Sequence, residues 1–334
     1  MRDIIKYLIF GAFRVLSVYR FRRRKNRDKA IVLTYHGVVS EIPPGEDWFE
    51  YRNFVTTAQF ENQVKFLLKH YRPLKVADLY NSSANIAGGF LITFDDGFRN
   101  NYRHAMPILK KYGLEGCFFI TTKLIGTREF LWTEQVTRLL EKTRKPKVEI
   151  NIDQPRSYEL NGALQREQAS QAIRKQMKRL PSVQLKKVLA QLKSQLSDVS
   201  LKVGAAEEER YLFMTWDEVR EMIRSGQHIG SHTHTHPILG TLDEQESLEE
   251  LRLSKEAIEA ETEQPCLTIS YPNGEKEDYS ETQIRQLKEL GYRCAFTQVP
   301  LYNTGDTDHY QLRRVNISLK MSMPVFEAAL CGMV

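Results

Sequence analysis

The chain lacks a cysteine framework. Its 334 residues hold only four cysteines, Cys117, Cys266, Cys294 and Cys331, widely spaced and without a CxxC pair. That excludes a disulfide scaffold and fits reduced thiols in a cytosolic setting. The chain also lacks an apolar run of roughly 20 residues, the length a spanning helix needs, because Arg14 interrupts the N-terminal apolar stretch. No small-x-small cleavage site follows it, which argues against a signal peptide. Low-complexity tracts and internal repeats are missing. With 41% apolar and 27% charged residues, the remainder is expected to be a soluble body with a sizeable core.

Charge is scarce outside one segment. The whole chain carries 48 − 42 = +6, but residues 1–30 hold ten Lys/Arg and two Asp, a balance of +8, so the other 304 residues sum to −2. A nearly neutral body of that kind excludes nucleic acid as the partner. In residues 1–29, Ile4, Ile5, Leu8, Ile9, Ala12, Phe13, Leu16 and Tyr19 share one broad helical face, and Arg20 to Lys29 add a basic run. This reads as an interfacial helix whose cations meet anionic headgroups. Docking of the same helix on the protein's own body is the competing reading.

From residue 30 onward the pattern alternates. Buried strands are expected at 31–39, 88–97 and 116–122, with helices at 57–70, opened by Thr57, and at 101–112. After residue 214 the rhythm resumes. Helices fall at 216–225, 243–262, 279–290 and near 324–330, and strands at 228–232, 266–272, 294–297 and 312–318. Strand–helix–strand repeats predict a parallel sheet, and about seven of them predict an α/β fold, a complete or irregular (β/α) barrel. Residues 124–214 break the rhythm with two polar helical stretches split by Pro181, so a helical insertion or lid is expected there. The expected division is an arm (1–29) and a catalytic domain (30–334) carrying that insertion.

In such a barrel the active site gathers at the C-terminal ends of the strands. The polar residues fall there: His36, Asp95-Asp96, His232 to His236, and Tyr271-Pro272-Asn273. His232 and His236, four apart, can grip one ion, and His234 then points elsewhere. Two adjacent carboxylates at the end of an apolar strand are costly unless a cation relieves one of them. The other stays available as a base. Two neutral imidazoles and one carboxylate match a catalytic zinc site, although other divalent ions suit the same set.

The motifs TFDDG (93–97), HTHTH (232–236) and SYPNG (270–274) resemble the first three motifs of the polysaccharide deacetylase family, the NodB-homology or carbohydrate esterase family 4 group. The resemblance spans about residues 30–320. It implies a distorted (β/α) barrel and metal-dependent removal of acetyl groups from glycans. It assigns Asp95 as general base and Asp96, His232 and His236 as metal ligands. Thr233 becomes a loop-supporting hydroxyl, and the backbone N–H of Asn273 an oxyanion donor, with Tyr271 in the same motif as a supporting residue. The chain departs from the family in two places. The third motif has Ser270 and Asn273 where the family has Arg and an aromatic, so Arg313 or Arg314 is the candidate to orient Asp95. The late Leu-x-His motif is missing, and His309 lies in a polar loop. TYHGV (34–38) resembles the early Tyr-His of a subgroup acting on exported glucosamine polymers, which makes His36 the preferred general acid.

The expected substrate is an acetylated amino-sugar glycan or a lipid-linked saccharide. The rivals are another metal-dependent esterase or amidohydrolase and a membrane-tethered glycan-binding module with a degenerate site. The arm and the unpaired cysteines suggest the cytoplasmic face of the membrane, with a periplasm-facing anchored form as the alternative. Trp48, Trp132 and Trp216 are candidate sugar-binding aromatics. His70, His104 and His228 read as surface, helix-end and packing residues.

Overall fold

The structure, a computed structural model, describes residues 18–42, 51–81 and 84–333. Most of the arm's expected apolar face and Trp48 lie outside the described residues. The strands are β1 (Ile31–Tyr35), β2 (Gly37–Val39), β3 (Phe54–Thr56), β4 (Arg72–Pro73), β5 (Gly89–Phe94), β6 (Gly116–Ile120), β7 (Lys147–Asn151), β8 (Pro155–Glu159), β9 (His228–Ser231), β10 (Thr268–Ser270), β11 (Cys294–Phe296) and β12 (Val315–Asn316). The central sheet runs β11-β10-β9-β6-β5-β1-β12, and β4 pairs with the start of β5. Neighbouring strands are parallel throughout. A parallel bridge between Phe296 and Leu312 brings the ends of this order together just before β12. The result is a distorted (β/α) barrel, closed on that side by a single bridge.

The strands read as unbroken apolar runs because both faces are buried, as parallel sheets require. In β5, Phe90, Ile92 and Phe94 pack in one cluster with Phe118 and Ile120. Leu91 faces the other way, with Cys117, Phe119, Cys294 and Phe296. Side chains alternate along a strand, so Thr93 and Asp95 continue the phase of Leu91 into the barrel. The helices start where their caps stand. Thr215, Asp243 and Ser280 each close a capping box with the residue three positions on, which satisfies orphan N–H groups.

Several expectations need correction. The helix 57–70 is capped by Thr56, not Thr57. The run 31–39 is two strands interrupted at His36. The helix after β5 opens as a π-turn (Asn101–Ala105) before Met106–Lys111, and the last strand is only two residues long. The insertion is not purely helical. Besides helices Trp132–Lys142, Ala163–Met177 and Ser182–Gln195, it holds the antiparallel hairpin β7–β8. These elements share their own apolar cluster, built from Val136, Leu140, Ile150, Ile173 and Leu192 among others.

Part of the arm docks on the body. In helix Val18–Lys25, Tyr19 is buried against Ala328 and Cys331, and its hydroxyl donates to the Pro324 carbonyl at 3.2 Å. Arg23 pairs with Glu327 at 3.6 Å. Arg20, Phe21, Arg22, Arg24 and Lys25 stay exposed. No described helix is long and apolar enough to cross a membrane.

Candidate active site

The inward phase of β5 delivers Asp95 into the barrel mouth, where its N–H donates to the Tyr35 carbonyl at 2.9 Å. The chain then turns sharply, with Asp96 at φ 74° and Gly97 at φ 92°. That turn separates two adjacent carboxylates. A Cβ at position 97 would sit 3.2 Å from the Ile120 Cβ at a φ that L side chains rarely adopt, so glycine is required there.

Asp96, His232 and His236 converge, with one ligand atom of each lying within 4.8 Å of the others. The His232 and His236 Nε2 atoms are 3.6 and 3.3 Å from the same Asp96 oxygen. Tetrahedral ligands about 2.0–2.1 Å from zinc lie roughly 3.3 Å apart, so the donor set fits such an ion. His232 Nδ1 is 2.8 Å from the Ser270 carbonyl. A carbonyl only accepts, so Nδ1 carries the hydrogen and the Nε2 lone pair faces the cluster. Burial pushes the His232 pKa down to about 4, against a smaller pull from Asp95. The ring is therefore neutral at pH 7, as a ligand needs.

The histidine loop is held in an unfavourable shape. Thr233 and His236 both have φ 64°, a conformation that costs about 1–3 kcal/mol per non-glycine residue. The Thr233 hydroxyl accepts from the His236 N–H at 3.1 Å. Glu250, on helix Glu244–Thr262, staples the same loop. It accepts from the N–H groups of His234 (3.0 Å) and Thr235 (2.8 Å) and from the Thr235 hydroxyl (2.6 Å). His234 turns away to Thr122 Oγ1, 2.9 Å distant.

Asp95 is clamped from behind by Arg314. Nη1 donates to Oδ1 and Nη2 to Oδ2, both at 2.8 Å. The other guanidinium donors reach the Thr297 carbonyl, Thr93 Oγ1 and Ser270 Oγ. All five N–H groups of a fully buried arginine are thus satisfied. Burial alone would raise the Asp95 pKa, but the Arg314 charge and its hydrogen bonds outweigh it and hold the carboxylate well below its ordinary range. Ser270 Oγ and Gln298 Nε2 also donate to Oδ2, each at 3.2 Å. Oδ2 is therefore saturated, whereas Oδ1 takes only one of these bonds and keeps a lone pair free.

His36 lines the same cavity of about 340 Å³ as Asp95, Asp96, His232, His236 and Asn273. Its Nδ1 is buried without a partner among the described residues. Asn273 has φ 64°. Its side chain is fixed by Lys178 and Asp278, and none of the described residues accepts its backbone N–H. Tyr271 does not line the cavity. Its ring stacks on Tyr279 at 4.2 Å, and its hydroxyl donates to the Tyr310 carbonyl. Trp132 lines the cavity and donates to the His236 carbonyl at 3.3 Å, whereas Trp216 packs on the core. His228 bonds Thr268 and His104 pairs with Glu209, both away from the site.

Glu250, Gln298 and the Ser270 hydroxyl were not among the expected site residues. Gln298 and Ser270 stand at strand ends on the active face, a signal that could have found them. Glu250 sits in a helix full of charges and carries no such signal. Arg52, Arg174 and Lys178, which also line the cavity, were equally unmarked.

A family model described as polysaccharide deacetylase matches residues 87–152 and 162–295. Bacillus subtilis (strain 168) YxkH, named as a polysaccharide deacetylase, is 25% identical over 238 residues, which are 71% of this chain and 54% of that protein. The chain thus spans about half the length of that relative. Among solved structures, the Streptococcus pyogenes deacetylase PplD in complex with acetate aligns with TM-score 0.58 and 19% identity over 90% of this chain and 98% of its own. IcaB from Ammonifex degensii gives 0.56 and 17% over 92% and 98%. The de-N-acetylase from Aggregatibacter actinomycetemcomitans gives 0.56 and 16% over 91% and 100%. At these identities the structural likeness speaks for the fold alone.

Proposed function

The chain belongs to the polysaccharide deacetylase family, and from that premise we propose that it hydrolyses acetyl groups from an amino-sugar glycan or lipid-linked saccharide with the help of a divalent ion, zinc by preference. The observation that carries this reading is the convergence of Asp96, His232 and His236 beside a clamped Asp95. A bound ion would polarise the acetyl carbonyl and lower the pKa of water.

The chain's own residues divide the rest. Asp95 takes a proton from water at Oδ1, the oxygen left open by the clamp. Arg314 lowers its basicity but fixes its direction and keeps it ionised. The Asn273 N–H donates to the developing oxyanion, the electrostatic contribution that is usually largest in such sites. His36 delivers a proton to the departing amine nitrogen. Trp132 offers an aromatic face to a sugar ring.

We also propose that the arm rests on the anionic inner face of a membrane and that residues 30–334 form the catalytic unit. Support comes from the exposed Arg20, Arg22, Arg24 and Lys25 and from Phe21, which is 69% exposed. A periplasm-facing anchored form is the alternative placement.

The test is mass-spectrometric loss of acetyl from N-acetylated glucosamine oligomers, with and without chelator. Acetyl release should stop with chelator and return with added ion. Asp95→Asn should retain the ion and lose roughly 10²–10⁴ in rate. Release that persists in both His232→Ala and chelated enzyme would overturn the reading. Ion binding without any release would instead favour the glycan-binding module.

A further inference from the structure

A second cavity opens directly off the active one. Its volume is about 400 Å³, and Trp132, His236 and Ile238 line both. Its walls come from two separate apolar bodies. The insertion supplies Trp132, Leu180, Leu185 and Leu189, which belong to or border the cluster of Val188 and Leu192. The barrel supplies Pro237, Ile238 and Leu242, in the segment that follows the histidine loop. In helix Ser182–Gln195 the residues that line the groove, Ser182, Leu185, Lys186 and Leu189, recur at i, i+3, i+4 and i+7 and so share one face. Val188 and Leu192 are buried within the insertion, whereas Leu185 and Leu189 stay half-buried. Protein interiors are close-packed. An apolar seam held open beside the ligand set is therefore what a binding groove requires.

The hydroxyls and carboxylates of this groove are already engaged. Thr241 Oγ1 donates to the Ile238 carbonyl at 2.8 Å, Ser182 Oγ to Glu246 at 3.2 Å and Thr235 Oγ1 to Glu250 at 2.6 Å. Glu249 pairs with Arg252 at 2.7 Å. Further sugar units would bury hydroxyls here with little to bond, and each unpaired group costs free energy. A hydrocarbon carries no such cost and gains from the apolar walls. Lys123 and Lys186 also line the groove but are exposed, so their stems can cover a chain while the ammonium groups stay in water.

Because the groove begins at His236 and Trp132, its occupant must be joined to the sugar whose acetyl group lies at the ligand set. We propose that the groove holds the hydrocarbon chain of a lipid-linked amino sugar, so that the preferred substrate is a saccharide still carried on its lipid. This rests on the deacetylase reading of the adjoining cavity. The exposed Phe21 and basic residues of the arm suit a protein that works where such lipids lie.

The experiment uses the full chain and N-acetylglucosamine glycosides with methyl, butyl, hexyl, octyl and dodecyl aglycones, all below their micelle-forming concentrations. Acetate release gives KM, and calorimetry on chelator-treated protein gives Kd without turnover. Each methylene that enters the groove should lower both roughly threefold to fourfold, and the gain should stop once the groove is full. Leu185→Gln should cut the octyl-over-methyl preference at least about tenfold, the loss of two buried methylenes. Leu189→Gln serves the same purpose if Leu185→Gln does not fold. Val183→Gln, on the same helix but 59% exposed and outside the groove, should keep the preference. A KM and Kd that ignore chain length overturn the groove. So does a chain-length gain that both leucine variants leave intact or that Val183→Gln removes. If no glycoside loses acetate while calorimetry still shows a chain-length gain that depends on Leu185, the deacetylase reading fails and the groove stands.

Discussion

Replacing Arg314 by Met removes five donors from the barrel interior and leaves Asp95 as an uncompensated carboxylate at 1% exposure. Breaking a buried ion pair from one side costs about 3–5 kcal/mol, and no solvent screening reduces it at a guanidinium with 0% exposure. Unfolding entropy scales to roughly 0.7 kcal/mol per kelvin for 334 residues. The melting temperature should therefore fall by about 4–7 °C. Activity should fall by roughly 10²–10⁴, because the base loses its direction. The second variant, Asp95→Asn with Arg314→Met, separates the causes. If the damage comes from a stranded charge, removing that charge restores part of the stability, and the double variant should be more stable than Arg314→Met alone. Calorimetric melting curves on the four proteins supply the cycle. A single variant as stable as wild type, or a double variant no better than the single, would refute the claim that Arg314 is there to hold Asp95 ionised.

Other outcomes follow from the same geometry. His232→Ala or His236→Ala should abolish both bound ion and turnover, read by metal analysis and acetate release, since three ligands cannot lose one cheaply. Glu250→Ala should loosen the strained histidine loop and weaken the ion about 10–100-fold, the range for an outer partner of a ligand; unchanged ion affinity would remove Glu250 from the site. Burial brings the His228 pKa down to about 4, whereas the unfolded value is near 6.5. Stability from this residue is thus present above pH 6.5 and is lost as pH falls toward 4, by up to about 3 kcal/mol, less because the ring keeps some solvent contact. Urea midpoints at pH 7 and pH 5 should differ less in His228→Gln than in wild type. Membrane-bound protein should be released by high salt if the arm binds electrostatically, and should stay bound if apolar burial dominates.

What the sequence determined by itself is local or periodic. Apolar runs ending in Asp95-Asp96 and in His232 announce strands whose tips carry polar residues, and the 3.6-residue pattern of 243–262 announces its helix. Those signals depend on neighbours along the chain, so they survive without a fold. Together with the family resemblance they were sufficient to single out Asp96, His232 and His236, which the fold brings together. The partners that make them work were decided only in three dimensions. Arg314 meets Asp95 across 219 positions and Ser270 meets it across 175. Glu250 reaches the histidine loop from the side of a helix, and Arg52 comes together with Arg174 and Lys178 only once the insertion folds over the barrel mouth. No period or spacing encodes such meetings. They depend on strand order and on which side of each pleat a residue faces, and barrel closure sets both. The hairpin β7–β8 and the docking of Tyr19 belong to the same class, since each buries surface that only the finished fold presents.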